Sequence, residues 1–190
     1  MKKLLAAMFV ALLMVGCGEK EIIQDGPYTE YYGNGQKEFE GYYKDGKEDG
    51  PSTWWYSNGQ KKEECTYNDG KPMSIVAWKI NGDKCPHTNV VNGNGVVVEY
   101  YDDGTEKGRL TLKDGKLVGT SISFKWYSNG QKKWEATYKG FKLMTAVVWK
   151  PDGEKCPVTN VVDGNGVWVE YNDDGTEKYR ETYKDHEEVR

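Results

Sequence analysis

Tyr127-Ser128-Asn129-Gly130-Gln131-Lys132-Lys133 repeats, residue for residue, the stretch Tyr56-Ser57-Asn58-Gly59-Gln60-Lys61-Lys62. Outward from these two heptapeptides, residues 55–114 align without a gap on 126–185 at roughly two-thirds identity, the mark of an internal duplication. Inside each copy runs a shorter period. An Asn-Gly or Asp-Gly turn ends at Gly35, Gly59, Gly82, Gly104, Gly130, Gly153 and Gly175, at intervals of 22 to 26 residues. Each is a β-hairpin signal, because Asn and Asp tolerate unusual backbone angles and Gly takes positive φ without steric cost. Second turns at Asp45-Gly46, Asp69-Gly70 and Asp114-Gly115 link successive hairpins.

Loop length sets the register. A two-residue loop places Lys125 opposite Trp134, whereas a three-residue loop, Ser128-Asn129-Gly130, places Phe124 opposite Trp134 and Ile122 opposite Ala136. The second gives one apolar face, so we read the hairpins that way. It predicts that the fourth residue before every turn glycine points inward: Tyr31, Trp55, Trp78, Tyr100, Trp126, Trp149 and Tyr171, all aromatic. After the turns the same face carries Phe39, Tyr43, Tyr67, Leu110, Leu112, Trp134, Tyr138, Tyr179 and Tyr183. In this register Trp126→Ala costs on the order of 3–5 kcal/mol. The opposite face is mostly Lys, Glu, Ser and Thr, interrupted by Tyr32, Trp54, Tyr56, Tyr101, Tyr127 and Trp168.

No segment after Lys20 places apolar residues at helical spacing with caps. The expected fold is all-β: an elongated, twisted antiparallel meander of about 14 strands over residues 28–190, single-layered or partly curled over its aromatic stripe. Composition agrees. Hydrophobic residues are 37% of the chain, too few for a thick core, yet 7 Trp, 14 Tyr and 23 Gly suit a thin, turn-rich β protein and not a disordered one. A net charge of -4 without a basic stripe excludes nucleic acid as the expected partner.

Residues 1–16 read as a secretory leader: Lys2 and Lys3, then an apolar run from Leu4 to Val15, too short to span a bilayer. Met14-Val15-Gly16-Cys17 resembles the bacterial lipoprotein cleavage box, which implies lipid on Cys17, a membrane anchor, and a tether over residues 17–27. Gly18, where an Asp would resemble an inner-membrane retention signal, favours the outer membrane of an organism that has one.

The recurring Tyr-Tyr/Trp-Tyr, x-Asn-Gly-Gln-Lys, alternating charged strand and Tyr-x-Asp-Gly-Lys resembles the MORN-repeat variant, a family that includes YwqK-type antitoxin-like proteins. The resemblance covers about residues 28–185. It implies extended β-hairpin arrays used in protein–protein or envelope contact, without enzymatic activity. The pattern departs at Cys85–Gly95 and Cys156–Gly166, where a Cys-Pro-x-Thr-Asn-Val-Val-Asn/Asp-Gly-Asn-Gly loop replaces the short return.

Other constellations have local explanations. A phosphate cradle at Asn92–Gly95 or Asp163–Gly166 needs a helix to follow, and a calcium loop needs more alternating oxygen ligands than these supply. A tight turn accounts for both. With Cys17 lipidated, Cys65, Cys85 and Cys156 remain, and their spacing along the array predicts no intramolecular disulfide. No metal or cofactor is expected. His87 and His186 lack a catalytic motif, and Asp102-Asp103 and Asp173-Asp174 precede turn glycines, where Asp favours local backbone bonding. Trp54, Tyr56, Tyr127 and Trp168 either pack beneath the curled sheet or form an exposed platform for a protein or a sugar. The sequence therefore describes a lipid-anchored, exported, non-enzymatic repeat protein meeting an unknown protein at the bacterial cell envelope. An antitoxin or immunity protein and an envelope glycan-binding module are the alternatives, with a hydrolase behind them because no acid/base set converges.

Overall fold

The computed structural model describes residues 24–101 and 103–189; the leader, Cys17, the start of the tether, and Asp102 lie outside the described residues. Fifteen strands follow in order: β1 (Gly26–Tyr31), β2 (Lys37–Lys44), β3 (Lys47–Glu48), β4 (Gly50–Trp55), β5 (Lys61–Asn68), β6 (Lys71–Ala77), β7 (Asn89–Val91), β8 (Asn94–Tyr100), β9 (Glu106–Lys113), β10 (Lys116–Trp126), β11 (Lys132–Lys139), β12 (Lys142–Val148), β13 (Gly166–Tyr171), β14 (Glu177–Lys184) and β15 (Glu187–Val189). A 12-stranded meander runs β1-β2-β4-β5-β6-β7-β8-β9-β10-β11-β12 with β3 on β2, and β13-β14-β15 form a second sheet. The all-β antiparallel meander is as the periodicity predicts.

Two turn types alternate. The glycines ending the first set have φ between 82 and 89°. At the second set, Asp45, Asp69, Asn92, Asp114, Asp163 and Asp185 have φ between 47 and 52°, each followed by another left-handed residue, the signature of a type I′ turn. The backbone N–H groups of Asp45, Asp69, Asp114 and Asp185 donate to the side-chain oxygens of Asp25, Asp49, Asn94 and Asn165, twenty residues earlier. Each short turn is thus held by its neighbour.

The register differs from the predicted one, and the reason is a bulge. The loop itself is the three-residue one: Gly130 N–H donates to Tyr127 O at 2.9 Å, and Tyr127 N–H to Gln131 O at 2.8 Å. Trp126 then faces Lys132, but Lys133 is extra, so Lys125 faces Trp134, Phe124 faces Glu135 and Ser123 faces Ala136. Glu38, Lys62 and Lys178 are the extra residues of the equivalent hairpins. Because side chains alternate, one inserted residue turns everything beyond it to the other side. The pairs Phe124–Trp134 and Ile122–Ala136 therefore do not form. The aromatics four residues before the glycines share a face with Lys37, Lys61, Lys132 and Glu177, and Trp54 joins Phe39 on the face opposite them, ring centroids 4.3 Å apart.

The chain divides into two compact units. In the first, Cys65, Tyr67, Ile75, Val97, Leu110 and Leu112 build one cluster, and Ala77, Cys85, Val98 and Tyr100 another. Adjacent Val97 and Val98 point to opposite sides and both are buried, so β8 has apolar cover on both faces. The Cys85–Asn89 segment supplies one cover: Thr88 Oγ1 accepts from Val98 N–H at 3.0 Å and donates to Val98 O. In the second unit, Trp168 and Val169 are the counterparts of Val97 and Val98, again both buried, with Ala136, Val148, Val161 and Tyr183 around them.

The glycine-rich loops are tight turns, the first between paired strands and the second closed by the Val162–Asn165 bridge. Asn92-Gly93 closes β7 on β8, and Gly95, at φ 145°, crosses so close to Asn89 O that a Cβ would overlap it. Gly95→Ala is expected to cost about 3 kcal/mol or more through overlap and strain, read from the midpoint of chemical unfolding. Unchanged stability would contradict this close approach.

Candidate functional site

The residues of the repeated heptapeptide hold one hairpin to the next. The hydroxyls of Tyr32, Tyr56 and Tyr127, each three residues before its glycine, donate to Trp55 O, Trp78 O and Trp149 O at 2.7, 2.9 and 2.7 Å. Two residues on, the amides of Asn34, Asn58 and Asn129 donate to Ser57 O, Ile80 O and Pro151 O of the following turn. The same Asn side chains accept the N–H of Gln36, Gln60 and Gln131, whose own side chains lie against Gly59, Gly82 and Gly153. Tyrosine, asparagine and glutamine thus form a stacking code, with most of their polar atoms used inside the array.

This corrects the candidate platform. Tyr56 and Tyr127 are 1% and 4% exposed, Trp168 2%, and Trp54 is half-buried against Phe39, so the four do not form an exposed surface. Trp168 stacks edge-on to Trp134 at 5.4 Å and lies 6.5 Å from Tyr183; its indole Nε1 is buried without a hydrogen-bond partner among the described residues. Of the seven aromatics assigned to the interior, two are inside and five are corrected. Tyr100 and Tyr171 are buried, Trp55, Trp78, Trp126 and Trp149 are half-buried, and Tyr31 is 62% exposed.

The exposed Tyr31 and the half-buried tryptophans lie on a partly open surface. In the first unit, Tyr31 pairs with Lys37, Trp55 with Lys61, and Trp78 bridges to Lys84, giving a row in which rings and ammonium groups alternate. Lys37 Nζ lies 5.1 Å from the Trp55 ring centre and Lys61 Nζ 5.2 Å from that of Trp78. In the second unit Lys132 Nζ lies 5.3 Å from Trp149 and 5.8 Å from Trp126. Each such contact contributes about 0.5–1 kcal/mol at an exposed site. Five hairpins also pair the second and fifth residues after the glycine: Lys37–Glu40, Lys61–Glu64, Lys132–Glu135, and, with signs reversed, Glu106–Arg109 and Glu177–Arg180. Partly exposed, these pairs add little stability; they keep the long side chains lying along the sheet.

The carboxylates behave differently in the two units. Asp173 accepts from Ser128 Oγ at 2.5 Å, and Asp174 and Asp103 accept from Thr176 and Thr105 within their own turns. Glu170 is 4% exposed and tied to Lys133 at 3.0 Å, Lys178 at 3.3 Å and Tyr179 Oη at 2.6 Å. Burial pushes its carboxyl up, but the Tyr179 and Lys133 bonds outweigh that and hold it below the usual range. Glu48 and Glu63 lack such support. Burial, with Glu63's charge nearby, pushes Glu48 up to about 7, and its Oε1 is buried without a hydrogen-bond partner among the described residues. Burial and the charge of Glu99 raise Glu63 to about 7 against the Cys65 thiol, which donates to it at 2.9 Å, and Lys62. Nothing in the local residue pattern marks Glu63 as a partly buried carboxylate. The overlooked signal is its counterpart in the duplication, Trp134, an interior residue type.

Cys65, Cys85 and Cys156 are free buried thiols. Burial pushes the Cys85 and Cys156 thiols up, yet hydrogen bonds from Thr88 and Tyr100, and from Thr159 and Tyr171, hold both below the ordinary value. Burial and Glu63 push Cys65 well above it. His186, placed in the Gly position of the last turn, bonds Leu143 O through Nδ1 at 2.8 Å and is a structural residue.

The start of the array is similar to a known repeat family. The MORN repeat variant matches residues 24–45 and 48–69, the first two hairpin units. No curated protein matches the chain. MORN repeats are commonly protein- and membrane-binding modules and generally non-catalytic. The chain carries two adjacent repeats of the MORN repeat variant family over residues 24–69.

Proposed function

We propose that this chain is a lipid-anchored, exported, non-enzymatic scaffold that presents the Tyr31–Lys84 row to a protein partner at the bacterial cell envelope. One observation carries the reading: Tyr31, Trp55 and Trp78 alternate with Lys37, Lys61 and Lys84 on one face. Half-buried rings offer area that desolvates at little entropic cost, and tyrosine and tryptophan are the residues that anchor interfaces. The leader pattern and Cys17 supply the address and the anchor.

The test is a photoreactive side chain placed at Tyr31 or Lys61 in the full-length protein in cells that express it. Adducts to one protein from both positions, absent from an exposed control such as Lys116, are expected, with acyl groups on Cys17 by mass spectrometry of the same preparation. Adducts to glycan alone would move the function to the sugar-binding alternative, and a captured toxin would mark the scaffold as an immunity protein. No adduct from either position would contradict the reading, as would an unprocessed Met1.

A further inference from the structure

Three of the stacked hairpins, those ending at Gly59, Gly82 and Gly153, receive their predecessors in the same way. Trp55, Trp78 and Trp149 offer a main-chain oxygen to a tyrosine hydroxyl, and Ser57, Ile80 and Pro151 offer one to an asparagine amide. Gly59, Gly82 and Gly153 leave room for a glutamine side chain. The first hairpin repeats the receiving half of the code: Tyr31 and Gly33 stand at the two acceptor positions, and Gly35 has open space around its missing Cβ. Among the described residues no hairpin precedes it. Among the described strands β1 is therefore at the edge of its sheet.

We infer that the β1 edge is a docking site for a β-hairpin of another polypeptide whose turn reads Tyr-x-Asn-Gly-Gln, added in register as one more repeat. The inference rests on the reading of the chain as a protein-contact scaffold and names the chemistry of its partner. The interface is continuous with the one already repeated inside the molecule, so its donors are specified: a hydroxyl for Tyr31 O, an amide for Gly33 O, a glutamine for Gly35, and a strand edge for β1. A second copy does not supply them. The last hairpin carries Asn172, Asp174 and Thr176 where the code needs Tyr, Asn and Gln, and the Asn172 amide is turned to Thr176 Oγ1 at 3.0 Å.

The experiment mixes the full-length protein with a synthetic peptide of residues 121–139, its ends covalently joined to hold the hairpin, and follows amide hydrogen exchange. Saturable protection of the β1 amides is expected, with affinity at least about tenfold lower when the peptide carries Tyr127→Phe and Asn129→Ala, as two lost hydrogen bonds imply. Unchanged β1 exchange, or equal affinity for both peptides, would overturn the proposal. A partner cross-linked from the Tyr31–Lys84 row without any effect at β1 would leave the scaffold reading standing and remove only this inference.

Discussion

Trp168→Ala is expected to lower the stability of the second unit by about 3–5 kcal/mol, and Trp126→Ala by only about 1–2 kcal/mol. The indole of Trp168 is 2% exposed and packs on Trp134 and Tyr183, so truncation leaves a cavity beneath β13 that the surrounding strands cannot close. Trp126 is half-buried with Lys132 above it, and most of the area it loses is returned to water already nearby. The prediction reverses the order expected when Trp126 is placed inside. Its control is Trp168→Phe, which keeps a ring in the site and removes the unpartnered Nε1; about half of the loss or less is expected. Urea unfolding followed by far-ultraviolet circular dichroism reads all three. Equal losses at positions 126 and 168 would contradict the face assignment.

Glu63→Gln is expected to stabilise the first unit above neutral pH and to flatten its pH dependence. The sign follows from linkage. Glu63 and Glu48 titrate near 7 in the folded protein, above the ordinary carboxylate value that the unfolded chain shows. Between about 4.5 and 7 the folded state therefore binds more protons, and stability falls as pH rises through that window. For Glu63 the full loss is on the order of 2–3 kcal/mol. Glutamine keeps the shape and removes the charge that faces Glu48 and Glu99. Thermal unfolding at pH 5 and pH 8 should show a wild-type decrease that is smaller in the variant, in which Glu48 still titrates. Glu170, held low by Tyr179 and Lys133, gives the opposite slope: its contribution is present above the ordinary carboxylate pKa and is lost as pH falls below it. Wild-type stability of the first unit that rises from pH 5 to 8 would show that Glu63 is not buried as described.

Particular residues explain what could be read ahead of the coordinates. The heptapeptide duplication, the seven turn glycines and the three-residue loop were legible because Asn-Gly turns act locally. The bulge was not. Its inserted residue is a lysine or glutamate beside another polar residue, as in Lys132-Lys133 and Lys61-Lys62, so polarity looks the same with or without it. An apolar face emerges in either register, since aromatics stand on both sides of these strands. Trp168 illustrates the clue that does survive: its counterpart is Val97, so both copies put an apolar side chain there, and both are buried. Tyr56 and Tyr127 resisted sequence reading for a different reason. A tyrosine at a turn is compatible with solvent, and only the receiving carbonyls of Trp78 and Trp149 show where the hydroxyl belongs.

The fused signs of the ion pairs make a related point about the surface. Glu106–Arg109 and Glu177–Arg180 reverse the polarity of the other three pairs while keeping their geometry. The geometry of these positions accepts a pair of opposite charges with either end positive.

Cross-strand nuclear Overhauser effects in the β10–β11 hairpin test the bulge, and with it the division of the aromatics between two faces, most directly. Contacts linking Trp134 to Lys125 and Ala136 to Ser123 are expected, with Trp126 still opposite Lys132. Contacts placing Trp134 opposite Phe124 and Ala136 opposite Ile122 would return Trp126 to the face it was first assigned and contradict the two-faced arrangement.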